Sequence, residues 1–407
     1  MTPIHKPIAV TGMGAVCALG KNLAQCMDAM FNAPVDPAPP SAFTTDHPVH
    51  YPVFNLPENL HLTLEQQDRD LSLTARMAIS AARQALEDAG MSARDLKDKR
   101  VGVCMGTTVG SSLNNDPFYA QYRAGQQPDM APVKRFLISN PAQAVADTFG
   151  FTGPVQTVVN ACASGSDAIG IAREWINSGL CDLAIAGGSD ELCKVTYNGF
   201  ISLMITDPCP CRPFDAQRSG LNLGEGAAAM LLAPARDGSL KGNRIQGYVS
   251  GYGAAGDAYH LTKPRPDAAG LMSALDQVLT AKTTHLQDIG FINAHGTGTR
   301  DNDRMEMTVF KEKLPGIPFF STKGYTGHTL GAAGALEAVF TLACLNRREI
   351  PPSRGFSTPD PDFNLSPVTA VLDIDKPAAI SQSVAFGGTN AVLLFHRADT
   401  DRQLLQC

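Results

Sequence analysis

The chain has 407 residues, 44% of them hydrophobic and 18% charged, with 37 glycines and a formal net charge of −6. That length can bury a large core and suggests roughly two or three domain-sized units. The negative balance argues against a nucleic-acid surface, which leaves a basic footprint.

The N-terminus, "MTPIHKPIAVTGMG", has no charged region followed by a long apolar stretch, so it reads as a tail entering a buried strand and not as a secretory signal. The best candidate for a membrane span, "AGALEAVFTLACL", is broken by Glu337. A cytoplasmic protein without a membrane partner is expected. Ten cysteines in a long chain with no secretory signal predict free thiols. Cys209 and Cys211 form a C-x-C with no second pair at ligand spacing, so "DPCPCRPF" reads as a proline-stiffened loop and no metal is expected.

Buried strands are predicted at "IAVTG" (8–12), "RVGVCMG" (100–106), "VQTVV" (155–159), "DLAIAGG" (182–188), "AAAMLLA" (227–233), "IGFINAHG" (289–296), "IPFFST" (317–322) and "SQSVAFGG" (381–388). Between them lie segments of helical period, such as "LTARMAISAARQALEDAG", whose alanines and leucines share one face before a glycine stop. "NAPVDPAPPSAF" (32–43) is an irregular connection. The alternation argues for an α/β layered fold. A faint internal echo is also present. "VQTVVNACASGSDAIGIAREWI" and "IPFFSTKGYTGHTLGAAGALEAVFTLACL" each run strand, small-residue turn, helix. The echo suggests two halves, 1–240 and 241–407, divided around "PARDGSLKGN".

Four segments carry polar groups just past a buried strand, in runs of small residues that leave room for a ligand. They are "NACASGSDAIG" with Cys162, "NAHGTGTRDNDRME" with His295, "STKGYTGHTLGAAGA" with Lys323 and His328, and "AFGGTN" with Phe386, Gly387 and Gly388. Each alone also has a structural explanation: a packed thiol, core histidines, a surface lysine, a tight turn. In this order and spacing, the set resembles the β-ketoacyl-acyl-carrier-protein synthases, especially the elongating Cys-His-His branch. The resemblance covers nearly the whole chain and takes in "CRPFDAQRSGLNLGEGAAAMLL" and "SGYGAAGDAYHLTKP". It implies a thiolase-like, duplicated αβαβα fold with the active site between the halves.

The resemblance also implies the site. Cys162 would accept the acyl group, as a thiolate whose pKa is lowered by the helix dipole and a cationic or hydrogen-bonding neighbour. The backbone N–H groups of Cys162 and Phe386 would hold the oxyanion. His295 and His328, both neutral, would each donate a hydrogen bond to the malonyl thioester oxygen as CO2 leaves, a type of contact worth roughly 3 kcal/mol. Lys323, with Glu306 as its ion partner, would orient the histidines. Thr297 and Thr299 would lie along the phosphopantetheine arm. Phe386, followed by the small neighbours Gly387 and Gly388, would act as a gate or equally as a fixed core ring. Val109 and "VKRFLI" (133–138) would line the acyl pocket, and Lys134, Arg135 and Arg69 would dock the acidic acyl carrier protein. No cofactor is implied beyond phosphopantetheine on the carrier, and the second subunit would be a copy of the chain or a chain-length-factor paralogue.

After His295 the family usually continues T-x-T-P-x-G-D; here Arg300 replaces the proline and Asn302 the glycine, a residue expected to keep the turn because asparagine tolerates positive φ. A thiolase would need a second cysteine in a C-x-G motif near the C-terminus, where this chain has "AFGGTN". A Cys-His-Asn initiating synthase is disfavoured by His328. A non-catalytic chain-length partner generally lacks the nucleophile, which is present here. Between primary fatty-acid elongation and a specialised polyene or polyketide route, the short 31–65 region and the "GTGT" turn lean to the second.

Overall fold

Ten consecutive residues, Ile8–Cys17, form strand β1, and every one is buried, so both faces of this strand are covered. The computed structural model describes residues 7–58, 60, 62, 70–109, 115–235, 244–279 and 284–400. Among the described residues twelve strands follow in chain order: β1, β2 (Val101–Gly106), β3 (Val155–Val158), β4 (Leu183–Asp190), β5 (Gly226–Pro234), β6 (Gly247–Gly256), β7 (Ile289–Asn293), β8 (Phe319–Phe320), β9 (Glu349–Ile350), β10 (Leu372–Asp373), β11 (Ala378–Ala385) and β12 (Thr389–Arg397). β9 and β10 pair only with each other; the rest form one sheet in the order β3-β2-β4-β5-β1-β6-β12-β11-β7-β8.

That order contains the duplication. Read inward from its edges, the first half runs first-half strands three, two, four, five, one. The second half runs its own third, second, fourth, fifth and first strands, β8-β7-β11-β12-β6. The halves meet where β1 and β6 pair antiparallel at Ile8–Val249, Ala9–Tyr248 and Val10–Gly247.

Side-chain alternation along each strand sorts the layers. In the first half Val103, Met105, Leu183 and Ile185 face a cluster with the outer helices Leu73–Asp88 and Pro141–Phe149, while Cys104, Ala184 and Ala186 face inward. In the second half Ile292, Ile380 and Val392 face the outer helices Ala269–Leu279 and Arg300–Lys313. The inward faces of both halves, including Met230, Phe291, Ala379 and Leu393, share one cluster with the helices Ser164–Asn177 and Ala333–Arg347. The result is helices, sheet, paired central helices, sheet, helices: the duplicated αβαβα arrangement expected.

All eight expected strands form, and "NAPVDPAPPSAF" is mainly irregular. β6 and β12 were not anticipated as separate strands. "GYVSGYGAAG" is too rich in glycine to signal a strand, yet Gly253 lets its backbone approach Ala274, whose carbonyl oxygen would lie 2.1 Å from a Cβ. The expected division near residue 240 lies outside the described residues.

The central helices touch through small residues. A Cβ on Gly165 would lie 2.6 Å from the Ala335 nitrogen, and one on Gly334 would lie 2.4 Å from Ser166 Oγ. Gly165→Ala is therefore expected to destabilise the protein by about 1–3 kcal/mol in urea unfolding, because a backbone atom cannot yield. Gly199→Ala, at a helical position with nothing within 4 Å of the new Cβ, should leave stability unchanged or raise it. Equal effects of the two would place the close contact elsewhere.

Candidate active site

β3 ends at Val158, and the chain turns sharply before the helix that begins at Ser164. Ala161 takes the turn at φ 47°, a left-handed conformation unfavourable for a residue with a Cβ. Ser164 Oγ holds it there, donating to the Ala161 carbonyl at 2.6 Å while accepting the Asn160 N–H at 2.8 Å. Cys162 stands at the tip of this elbow, just outside the helix start and 5% exposed. Its Sγ lies 3.1 Å from His328 Nε2 and receives a hydrogen bond from the Phe386 backbone amide. Burial pushes the thiol up to about 11; Lys323 and the Phe386 amide pull the other way without offsetting it. The expectation of a lowered thiol pKa is thus corrected: enclosure by apolar and neutral groups outweighs one cation and one N–H, so the resting group is a thiol.

His295 follows β7, and His328 follows the short helix Lys323–Thr326. Their rings cross nearly at right angles with centroids 5.2 Å apart. Lys323 Nζ makes three contacts: His295 Nδ1 at 3.0 Å, the His295 carbonyl oxygen at 2.6 Å, and Glu337 Oε1 in an ion pair. An ammonium can only donate, so His295 Nδ1 accepts and the imidazole proton sits on Nε2. His328 reaches the same state differently. Its Nδ1 accepts the Leu330 N–H at 3.2 Å, two residues further along the same loop. Burial first, and the Lys323 charge second, hold both histidines well below their ordinary range. Two neutral imidazoles therefore present Nε2–H to one site.

The expected ion partner of Lys323, Glu306, is corrected to Glu337. Glu306 lies on the far side of the His295 loop, where its carboxylate accepts the N–H groups of His295 and Gly296 and the amides of Asn302 and Gln382. It fixes the loop, whereas Glu337 fixes the lysine. The available signal was the lone acid in an otherwise apolar helix. Asn302 is corrected as well: it lies in the first turn of helix Arg300–Lys313, and the positive φ values of this loop fall on Gly296 and Gly298.

A cavity of about 460 Å³ opens on these groups, lined by Cys162, His295, His328, Phe386, Thr297 and Thr299. Thr297 Oγ1 and Thr299 Oγ1 lie 2.8 Å apart. Phe386 is half-buried ahead of Gly387 and Gly388, at φ 83° and 78°. Its ring stacks on Phe200, 5.7 Å between centroids, a wall residue that no motif singled out. Val109 is half-buried and does not line this cavity; Lys134 and Arg135 lie on the exposed helix Ala131–Ile138, also outside it. Arg69 is outside the described residues. The cations that do line the cavity are Lys263 and Arg300.

Sulfur and two imidazoles whose ligating atoms all lie within 4.8 Å of one another could in principle hold a soft metal. The donors argue against it, because both Nε2 atoms carry protons that Nδ1 cannot take over while Lys323 and Leu330 donate to it.

A duplicated α/β scaffold that places a cysteine at a strand-to-helix elbow, two neutral histidine donors and a facing backbone N–H defines a cysteine acyltransferase of decarboxylative type. Residues 5–238 match the Beta-ketoacyl synthase, N-terminal domain and residues 246–357 the Beta-ketoacyl synthase, C-terminal domain; the chain belongs to this family and is an elongating ketosynthase. It is 32% identical to Nodulation protein E of Rhizobium sp. (strain N33), over 97% of this chain and 100% of that protein. It is 29% identical to 3-oxoacyl-[acyl-carrier-protein] synthase 2 of Staphylococcus aureus (strain N315), over 97% and 99%. Among solved structures, the ishigamide ketosynthase/chain length factor superposes with a TM-score of 0.90 at 28% identity, covering 97% of this chain and 99% of that one.

The raised thiol pKa has a direct consequence. Alkylation of Cys162 by iodoacetamide should keep accelerating as pH rises through 9.0, the ordinary thiol value, because the thiolate fraction is still growing there. Peptide mapping of pulse-labelled protein measures it. A rate already level below that pH would show a preformed thiolate.

Proposed function

We propose that this chain extends an acyl group held on Cys162 with two carbons from a malonyl thioester, both delivered by an acyl carrier protein. The observation that carries the reading is the convergence of Cys162 Sγ, the Phe386 N–H and two Nε2–H donors on one cavity. In acyl transfer the thioester C–S bond breaks as the bond to Sγ forms, and the thiol proton ends on the departing pantetheine sulfur. In the second step CO2 leaves, and the negative charge reaching the thioester oxygen meets the two imidazole N–H groups. The carbanion then attacks the acyl-Cys162 carbonyl, whose oxyanion faces the Phe386 amide. Protein groups alone supply these donors, so no cofactor enters the proposal beyond the carrier's phosphopantetheine.

The net-negative chain needs a local cation to receive an acidic carrier. Arg300, which stands where the family usually has proline, and Lys263 are exposed at the cavity. We assign docking to them in preference to Lys134 and Arg135. The latter sit beside the sheet edge: Asn140, which follows their helix, accepts from Thr157 of edge strand β3 at 2.7 Å. Leu137 is 71% exposed and Val159 66%. This apolar edge suits a second chain of the same fold, a copy or a chain-length-factor paralogue. No helix among the described residues is long and apolar enough to cross a membrane, and the nine cysteines described are free; a cytoplasmic site of action fits both. The short 31–65 region and the "GTGT" turn favour a specialised chain over primary fatty acids.

Purified protein given acyl- and malonyl-carrier should form a β-ketoacyl product, with the acyl group found on the Cys162 peptide; Cys162→Ala should form none. His295→Ala or His328→Ala should lower CO2 release by roughly a hundredfold. Lys263→Glu with Arg300→Glu should raise KM for carrier-bound substrate and spare pantetheine-bound substrate. Product formation by Cys162→Ala would overturn the reading.

A further inference from the structure

The two N–H groups of the acyl oxyanion site belong to different halves of the molecule. Cys162 sits on the first-half elbow, and Phe386 sits on the turn between β11 and β12 of the second half. Neither half alone can set their separation, so it depends on what crosses the seam beside them. Ser166 Oγ and Ser383 Oγ meet 2.9 Å apart deeper in the seam, and a longer chain of side-chain hydrogen bonds crosses it nearer the Phe386 turn. Thr389, just after the Phe386 turn, donates from Oγ1 to Asn160 Oδ1 at 3.0 Å. Asn160, two residues before the nucleophile, donates from Nδ2 to Asp167 Oδ2. Asp167 Oδ1 accepts the Tyr252 hydroxyl of β6 at 2.9 Å.

Each link is fully used. Asn160 engages both ends of its amide, and Asp167, 4% exposed, engages both oxygens. Asp167 lies in the first turn of the helix behind Cys162, and Tyr252 also packs against the small cluster of Cys162, Ala163, Ala385 and Ala391. Gly170 leaves room for the ring: a Cβ there would lie 2.4 Å from the Tyr252 ring atoms. The chain thus starts and ends in the second half and passes through the elbow of the first.

We infer that Asn160, Asp167, Tyr252 and Thr389 are positioning residues that hold the Phe386 turn against the Cys162 elbow, and that they serve bond making at Cys162 and not decarboxylation. The inference rests on the synthase reading above. The separation of steps follows from the geometry. The decarboxylating donors, His295 and His328 Nε2, are fixed by Lys323 and Leu330, which belong to the second half and hydrogen-bond to none of the four. When the Phe386 turn drifts, the acyl carbonyl loses a donor while the malonyl oxygen keeps both of its own. The carbanion then forms at its normal rate and is protonated before it can attack, so malonyl thioester and a proton give acetyl thioester and CO2.

The test uses Thr389→Val, which keeps the shape and loses the donor, with Thr389→Ser as the rescue and Tyr252→Phe as an independent break of the same chain. Acyl transfer to Cys162 from an acyl-pantetheine is followed by intact mass. Enzyme already acylated to completion is then given labelled malonyl thioester, and CO2, β-ketoacyl product and acetyl thioester are counted in one turnover. Thr389→Val and Tyr252→Phe should slow acyl transfer roughly tenfold to a hundredfold. Both should release CO2 within about twofold of wild type and divert product to acetyl thioester, and Thr389→Ser should behave as wild type. Acyl transfer and CO2 release falling together would make the four residues merely structural and overturn the inference, as would wild-type coupling in both broken variants. A wild-type protein that neither takes the acyl group nor releases CO2 would instead overturn the synthase reading itself.

Discussion

A single buried ammonium organises the reacting face of this protein. Lys323 is 1% exposed, and its three contacts are the Glu337 carboxylate, the His295 carbonyl and His295 Nδ1. An enclosed ion pair of this kind is weak evidence for stability, since desolvation offsets much of the attraction. Its value here lies in direction. A donor locked 3.0 Å from Nδ1 leaves the ring one place for its proton, Nε2, and a positive charge at that distance discourages a second proton. Glu337 supplies the opposite charge that so enclosed an ammonium requires.

His328 arrives at the same tautomer through a backbone amide instead of an ammonium. The Leu330 amide donates to Nδ1 at 3.2 Å, and Gly331 follows so close to the first half that a Cβ would meet Thr107 backbone at 2.5 Å. Asp190, wholly buried, ties these parts together by accepting the Thr107 hydroxyl, the Thr108 amide and hydroxyl, and the Gly331 amide. Two unrelated devices therefore deliver equivalent N–H groups to one cavity. The duplicated scaffold makes that possible, because the elbow with Cys162 and the loops with the histidines open onto the same seam.

Much of this was legible in the sequence. The strands are short, apolar and bounded by glycine, so their positions could be read, and Cys162, His295 and His328 stand out because each follows a strand in a run of small residues. Partner choice left one signal only, the lone acid Glu337 in a helix of otherwise mostly apolar residues. Glu306 and Glu337 are both buried acids near Lys323 in the sequence, and only the fold shows that one faces the His295 loop amides and the other the ammonium. The direction of the Cys162 shift was misjudged for a related reason: a helix start and a nearby cation are visible in a string of letters, but the completeness of enclosure is not. Asn302 was assigned to a turn on conformational preference, yet Gly296 and Gly298 already supply the positive φ values, which leaves Asn302 free to begin a helix and hold Glu306. Lys134 and Arg135 looked like a docking pair because they are adjacent, whereas the cations at the cavity, Lys263 and Arg300, come from segments far apart in the chain.

Both histidines are neutral with the proton on Nε2, one held so by the Lys323 ammonium and one by the Leu330 amide. Nitrogen-15 chemical shifts of the His295 and His328 rings, recorded with histidine-labelled protein at about pH 7, read this directly. Each ring should show a protonated Nε2 and an unprotonated Nδ1. An imidazolium at either position, or a proton on Nδ1, would contradict the account.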